Sequence, residues 1–447
     1  MFELPLTSLV PSVIELISFG EKNWPHIWWF PHWYLGLPYR FLIGPIVPLL
    51  VVAMHSISPH ISINHIYIGL VVVSHILSGL LIILFTRELG AGKRGSLFSG
   101  IFYLGLPFSL ILFSIGNGLY QIATVMVIAG WWSWERYIKS EKLRWVYGAV
   151  TLGVVVLFIN LSSFLSFSIG LMLLILLSDK NKWFDKFVVL SLTLATSVFL
   201  ASSWYTPRFW LVLLSNPSFA GQPLIRITSW IIQIVLVLIP LVVGIWVVQK
   251  RYRLSSKLIR FTVIFLASFG FLTLIRFLSD IDFWIDWSGY GLELQIGLAL
   301  LLPVLLSYLV KLRRWSFIVI GLSLTLCLVN IGIFWNLFSK NAAEIKTYKK
   351  EIQDLINIDD HWGNQRIFLS GSPVFWLGSR VPGLLQVRGN RDEAATHKTW
   401  AMGAYEIREG QDNDLLLAWM KILGVSRLLL HTSESRDFFH DFKNVDR

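Results

Sequence analysis

The residues best equipped for chemistry in this sequence are a few acids, a few cations and an unusual density of aromatic rings. The stretch SDIDFWIDWSGYGLE sets Asp280, Asp282 and Asp286 beside Trp284, Trp287 and Tyr290, and Glu293 and Gln295 follow at the start of an apolar run. Acids with aromatics suit a sugar, because carboxylates accept hydroxyl hydrogens while rings stack on the apolar faces. The same acids also fit an outer loop from which basic residues are excluded. Glu293 fits that second reading less easily: an ionisable group at the bilayer centre costs about 2.5 kcal/mol or more and generally lines a polar cavity.

A second group lies early in the chain. Between Gly20 and Pro48, the stretch GEKNWPHIWWFPHWYLGLPYRFLIGPIVP crowds Trp24, Trp28, Trp29, Phe30, Trp33, Tyr34, Tyr39 and Phe41 among prolines and glycines. Proline removes a donor and clashes with the preceding turn, so this is a bent segment and not one helix. Trp and Tyr concentrate where a bilayer meets water, which places the segment along the membrane surface, either as an anchor or as the roof of a site. As a roof, Trp28, Trp29, His32 and Trp33 would flank whatever the later helices enclose, with Arg40 one of the few basic residues beside them.

Other chemistries find little support. Six of the ten histidines fall between His26 and His75, yet no HExxH pair occurs, and His55, His60 and His65 are equally explained as interfacial residues, so no metal is assigned and a divalent ion is left open. GxSxG and GxxxxGK[ST] patterns are absent, which removes an elbow serine and a P-loop nucleotide engine. The single Cys327 lies in an apolar run and can form neither a disulfide frame nor a thiolate metal site within one chain.

The elements that must position these groups are membrane helices. The 447 residues are 55% hydrophobic and 15% charged, with a mean hydropathy of +0.64; soluble domains run near 45–50% and 25%. Apolar runs at about 64–85, 97–115, 117–133, 146–160, 161–177, 187–204, 227–248, 261–277, 292–310 and 315–337 predict about ten spans. Residues 1–19 carry Glu3, Pro5, Pro11 and Glu15 and form neither a signal peptide nor a span; the Pro-broken 41–57 reads as re-entrant. Basic residues gather in alternate connections, around Lys93, Lys139, Lys186, Arg253 and Arg313, which makes those connections cytoplasmic and the others, with 1–63 and everything after 338, extracytoplasmic.

The tail is a different material. Its charges balance, so the net +11 belongs to the membrane part, and nucleic-acid binding loses its main support. AAEIKTYKKEIQDLI predicts an amphipathic helix, RIFLSG a strand, DNDLLLAWMKILG a helix with an acidic cap and a closing Gly424, and SRLLLHT a second strand. Alternating strands and helices imply a small α/β module. Between them PGLLQVRGNRDEAATHKTWAMGAYEI, with Arg388 and Arg391, reads as a loop that binds an acceptor or is merely solvated. The sequence thus divides into an outer segment 1–63, a helical domain 64–337 and an α/β domain 338–447.

WFPHWYLGLPYRF, the Pro-broken run after it, a span ending in FTRELGAGKRG and the soluble tail together resemble membrane glycosyltransferases of the GT-C class. RIFLSGS, LLQVRGNRDEAATHKTWAMGAYEI and LLLAWMKILGVSRLLLHTSESRDFFHDFKN resemble the tail of prokaryotic membrane proteins labelled 6-pyruvoyl-tetrahydropterin-synthase-related, although no histidine trio for zinc is evident. The GT-C resemblance implies a multi-pass membrane enzyme moving a sugar, as a hexosyltransferase, from a polyprenyl-phosphate-linked donor to a glycan, lipid or protein acceptor of the envelope. It implies a catalytic carboxylate before the aromatic segment, where Glu3 stands. The sequence departs from the class in lacking a first span and in carrying Asn117, in SIGNGLYQ, where related enzymes often show an aspartate. A non-catalytic envelope assembly or binding protein, and a lipid-linked saccharide transporter, are the alternatives.

Overall fold

In the computed structural model the described residues are 9–178, 183–215, 257–279, 290–309, 317–318, 320–333, 335–336, 365–369, 381, 383–389, 395–397, 399–430 and 441–442. The expected run 227–248, the expected helix in 342–356 and the loop 280–289 lie outside them.

Helix α1 (Leu9–Asn23) occupies part of what the sequence offered only as a Pro-broken stretch. Pro11 sits in its first turn, where a missing N–H costs little. The helix buries Val13, Ile14, Leu16 and Ile17, with Glu15 among them. The chain then turns through a cis Trp24–Pro25 bond into a short antiparallel pair, β1 (Trp29–Phe30) and β2 (Leu37–Pro38). The turn between them places Tyr34, Leu35 and Gly36 in the left-handed region, at φ 51°, 68° and 95°. Gly36 is needed twice there: for its φ, and because a Cβ would lie 2.6–2.8 Å from the Trp29 ring. Helices α2 (Tyr39–Leu42) and α3 (Ile46–Ile57) follow, parted around Gly44–Pro45. The 12 residues of α3 span about 18 Å at 1.5 Å per residue, well short of a hydrocarbon core of about 30 Å.

The bundle begins with α4 (Ile63–Glu88), α5 (Lys93–Gly105) and α6 (Pro107–Ile115). Pro107 breaks the last two at Leu106 and opens α6 at a position that proline tolerates. Then come α7 (Gly118–Ser140), α8 (Leu143–Ile159), α9 (Ser163–Leu176), α10 (Trp183–Ala201), α11 (Pro207–Ser215), α12 (Lys257–Ser279), α13 (Gly291–Leu309) and α14 (Ile320–Ile333). By length and composition, Ile63–Glu88, Lys93–Phe113 and Trp183–Ala201 are long and apolar enough to cross a membrane, and shorter apolar helices accompany them.

In the tail, β3 (Arg366–Phe368), β4 (Leu385–Gln386) and β5 (Val425–Leu428) form a parallel sheet in the order β4-β3-β5. The stretch expected to be a loop holds β4 and α15 (Trp400–Glu409), because Trp400, Ala404 and Ile407 recur at helical spacing and bury one face despite the glycine and charge around them. Helix α16 (Asn413–Leu423) starts where the Asp412 carboxylate accepts the Asp414 and Leu415 amides at 2.9 and 3.1 Å, and stops at Gly424, φ 64°.

Two buried clusters organise the molecule. One joins α1, the aromatic segment, the first turns of α4 and α7, Ile159, Tyr205 and Phe209 with Phe368, Val387, Trp400, Ile407 and Leu423 of the tail. The other fills the bundle around Phe85, Trp131, Trp134, Phe167, Phe261 and Ala299. Residues on both sides of positions 63 and 338 therefore share one core. The opposite end of the bundle, where α4 and α7 finish and α12 starts, gathers Glu88, Glu135, Arg136, Lys139 and Lys257 in an ion network. These charges come from three of the connections that the sequence grouped as basic.

Candidate functional site at the aromatic end

Glu15 and Phe19 lie four residues apart on one face of α1, and both touch His32. The imidazole Nδ1 is 3.3 Å from Glu15 Oε1, and the Phe19 ring meets the His32 ring edge-on at 5.4 Å. Phe30 packs against the same imidazole at 4.8 Å and against Trp33 at 5.1 Å. Burial pushes the Glu15 carboxyl above the usual carboxylate range, while His32 and the Trp33 indole pull the other way. Neither Glu15 Oε2 nor Trp33 Nε1 completes a hydrogen bond.

The tail closes over this group. The Gln386 amide donates to the His32 carbonyl at 2.7 Å, and Trp400 meets Tyr34 edge-on at 4.8 Å. Gly389 lies so near Trp33 that a Cβ would come 2.7 Å from the indole. Arg388 is half-buried beside that contact. Thus the aromatic segment is not one exposed roof. Trp24, Trp28 and Trp29 are 58%, 71% and 53% exposed, whereas Phe30, Trp33, Tyr34, Tyr39 and Phe41 are buried. Pleated β1 sends neighbours to opposite faces, and the tail covers Trp33. Tyr39 anchors the segment through a 2.9 Å bond to the Leu16 carbonyl, and Arg40 beside it is half-buried.

A second polar group lies within the bundle. Glu293 Oε1 accepts the Tyr120 and Ser166 hydroxyls, each at 2.6 Å, so one carboxyl ties α13 to α7 and α9. Its Oε2 is buried without a hydrogen bond. Two residues on, Gln295 donates to the Tyr103 carbonyl at 2.8 Å and to Ser109 Oγ at 2.9 Å, and it accepts the Ser109 amide at 2.8 Å. Those bonds satisfy backbone groups freed where Pro107 divides α5 from α6. Asn117, 7% exposed, precedes α7 after the left-handed Gly116, one turn before Tyr120.

Of the expected site residues, His32 and Trp33 come together with the tail next to Arg388, and Asn117 comes within a turn of the Glu293 group. Trp28 and Trp29 lie exposed on the aromatic segment. Glu3, Asp282, Asp286 and Arg391 lie outside the described residues. Sequence reading passed over Glu15, Tyr120 and Ser166. Glu15 had a signal, an acid in the middle of the apolar SVIELIS; the two hydroxyl residues had none. No three His, Cys, Asp or Glu side chains among the described residues could hold a metal ion.

No family model matches the chain, and no curated protein matches it. Solved structures do. The apo oligosaccharyltransferase of Archaeoglobus fulgidus superposes with a TM-score of 0.55 at 13% identity, over 94% of this chain and 65% of that one. Apo ArnT of Cupriavidus metallidurans gives 0.54 at 13% identity, over 94% and 91%, and ArnT bound to undecaprenyl phosphate gives 0.53 at 12%, over 98% and 93%. The chain shares the fold of these proteins. It spans less than two thirds of the oligosaccharyltransferase and nearly all of ArnT. The tail's likeness to the pterin-synthase-related proteins rests on the quoted stretches alone.

Proposed function

We propose that this chain is a membrane glycosyltransferase that moves a sugar from a polyprenyl-phosphate-linked donor to an envelope acceptor, with the aromatic end facing out of the cell. The observation carrying this reading is the fold shared along 98% of the chain with ArnT, whose structure contains undecaprenyl phosphate. Exposed Trp28 and Trp29 suit headgroup depth, where a polyprenyl phosphate presents its charge. Arg40 is the cation for that phosphate, and Asp282, Asp286, Arg388 and Arg391 are the residues assigned to binding the sugar and its acceptor. Glu3 is the carboxylate that the resemblance implies as general base. A tail acting only as an acceptor-presenting appendage, removable without effect on the donor, fits poorly with a core that the tail and the aromatic segment share.

The test is binding and turnover in liposomes. Wild-type protein is expected to bind undecaprenyl phosphate and to release the sugar from an undecaprenyl-phosphate-linked hexose, and Arg40→Ala is expected to weaken binding about tenfold, or about 1.4 kcal/mol. Absence of binding overturns the proposal. Binding without turnover favours the envelope binding protein instead, a reading supported by the buried amide at Asn117. Orientation is tested by labelling intact cells with an impermeant thiol reagent, since Cys327 is buried. Ser426→Cys in the tail is expected to react and Ser140→Cys at the basic end to stay protected; the reverse pattern overturns the orientation.

A further inference from the structure

We infer that His32 and Glu15 form a carboxylate–imidazole dyad in which His32 Nε2, in place of Glu3, takes the proton of the attacking hydroxyl; the inference rests on the transferase reading above. Three contacts fix the ring: Glu15 Oε1 at 3.3 Å from Nδ1, and Phe19 and Phe30 on its flanks. A fourth fixes the backbone, the 2.7 Å bond from the Gln386 amide to the His32 carbonyl. A carboxylate beside Nδ1 selects the tautomer that carries its proton there and leaves the Nε2 lone pair available. It also steadies the imidazolium that exists after Nε2 has taken a proton.

Access distinguishes this pair from its neighbour on the same helix. Glu21 and His55, 2.6 Å apart, are 28% and 24% exposed, so water screens that tie between α1 and α3. Glu15 is only 5% exposed, so little water stands between it and the imidazole, while His32 keeps 14% exposure. Among the described residues none hydrogen-bonds Nε2. The pair sits where the aromatic segment and the tail meet.

In the step itself the acceptor oxygen forms a bond to the sugar C1 as the bond from C1 to the phosphate oxygen breaks. That electron pair leaves with the polyprenyl phosphate. The hydroxyl proton passes to His32 Nε2 and then to solvent, which restores the neutral ring. No other reactant is required, and water can replace the acceptor.

The experiment uses the full chain in liposomes, with undecaprenyl-phosphate-linked hexose hydrolysed by water and undecaprenyl phosphate binding measured separately. His32→Gln is expected to lower kcat by about 100-fold or more, with the binding constant changed by less than about twofold. Glu15→Gln is expected to lower kcat about tenfold and to move the acidic limb of its pH profile downward, because the charge that favours the imidazolium is gone. A structural tie would lose rate only in step with melting temperature and leave the limb where it is. Undiminished turnover by His32→Gln, or an unmoved limb in Glu15→Gln, overturns the dyad and leaves the transferase reading standing. Should His32→Gln fail to fold, the limb of Glu15→Gln decides. No turnover by the wild type overturns both.

Discussion

At the basic end Glu135, fully buried, receives Lys257 through two bonds of 2.8 and 2.7 Å and has Lys139 at 3.9 Å, while Glu88 takes Arg136 and Lys139. At the aromatic end Glu15 meets a histidine, and within the bundle Glu293 receives two hydroxyls; each keeps one buried oxygen without a hydrogen bond. Permanent charges paired with permanent charges hold helices together and leave little for a ligand. Neutral or titratable donors with unfilled acceptor capacity describe a region held ready for something else.

The sharpest way to break this contrast is at the basic end. Lys257→Ala strands a fully buried carboxylate and is expected to destabilise the protein by about 3–5 kcal/mol, seen as a lower melting temperature in detergent; a change below about 1 kcal/mol would mean that the network is surface decoration. At the aromatic end, Trp33→Ala is expected to cost about as much, roughly 3–5 kcal/mol, but locally, with the tail becoming sensitive to protease while the bundle resists. Gly389→Ala probes the same joint from the other side. Its added Cβ must displace the Trp33 indole, at about 1–3 kcal/mol, and unaltered proteolysis would show that the joint yields freely. Glu293→Gln keeps an oxygen for Tyr120 and Ser166 and is expected to cost less than about 1.5 kcal/mol by the same melting assay, less than Lys257→Ala.

The smallest effect is a pH dependence. Burial raises the Glu15 pKa from 4.5 in the folded protein, so the native state holds that proton more firmly than the unfolded chain. Stability from this group is therefore complete below about 4.5 and declines as pH rises through the folded-state titration. Glu15→Gln is expected to flatten that decline in melting temperature. An identical slope in the variant would place the titration elsewhere.

Much of the architecture was legible because it rests on local rules. Apolar runs located most of the described bundle helices, and Asp412 and Gly424 marked both ends of α16. What escaped was set by long-range packing. WAMGAYEIRE is too polar to announce a helix until Trp400 and Ile407 find the aromatic segment. Trp33 is indistinguishable from Trp28 and Trp29 by composition; only the arrival of Gly389 buries one and leaves the others out. Likewise Tyr120 and Ser166 are ordinary hydroxyl residues until α13 brings Glu293 between them.

The bond from the Gln386 backbone N–H to the His32 carbonyl joins an early-made stretch of the chain to one made much later. A ribosome has built α4 to α14 before β4 emerges, so the aromatic segment waits through that synthesis with Trp33 uncovered. Closing so long a loop is slow but costs little more entropy than closing a moderate one. The same bond caps an edge strand of the tail's sheet, which would otherwise be open to another chain. Any chain released before β4 would therefore carry an uncovered aromatic segment, an apolar surface for quality-control proteases to recognise.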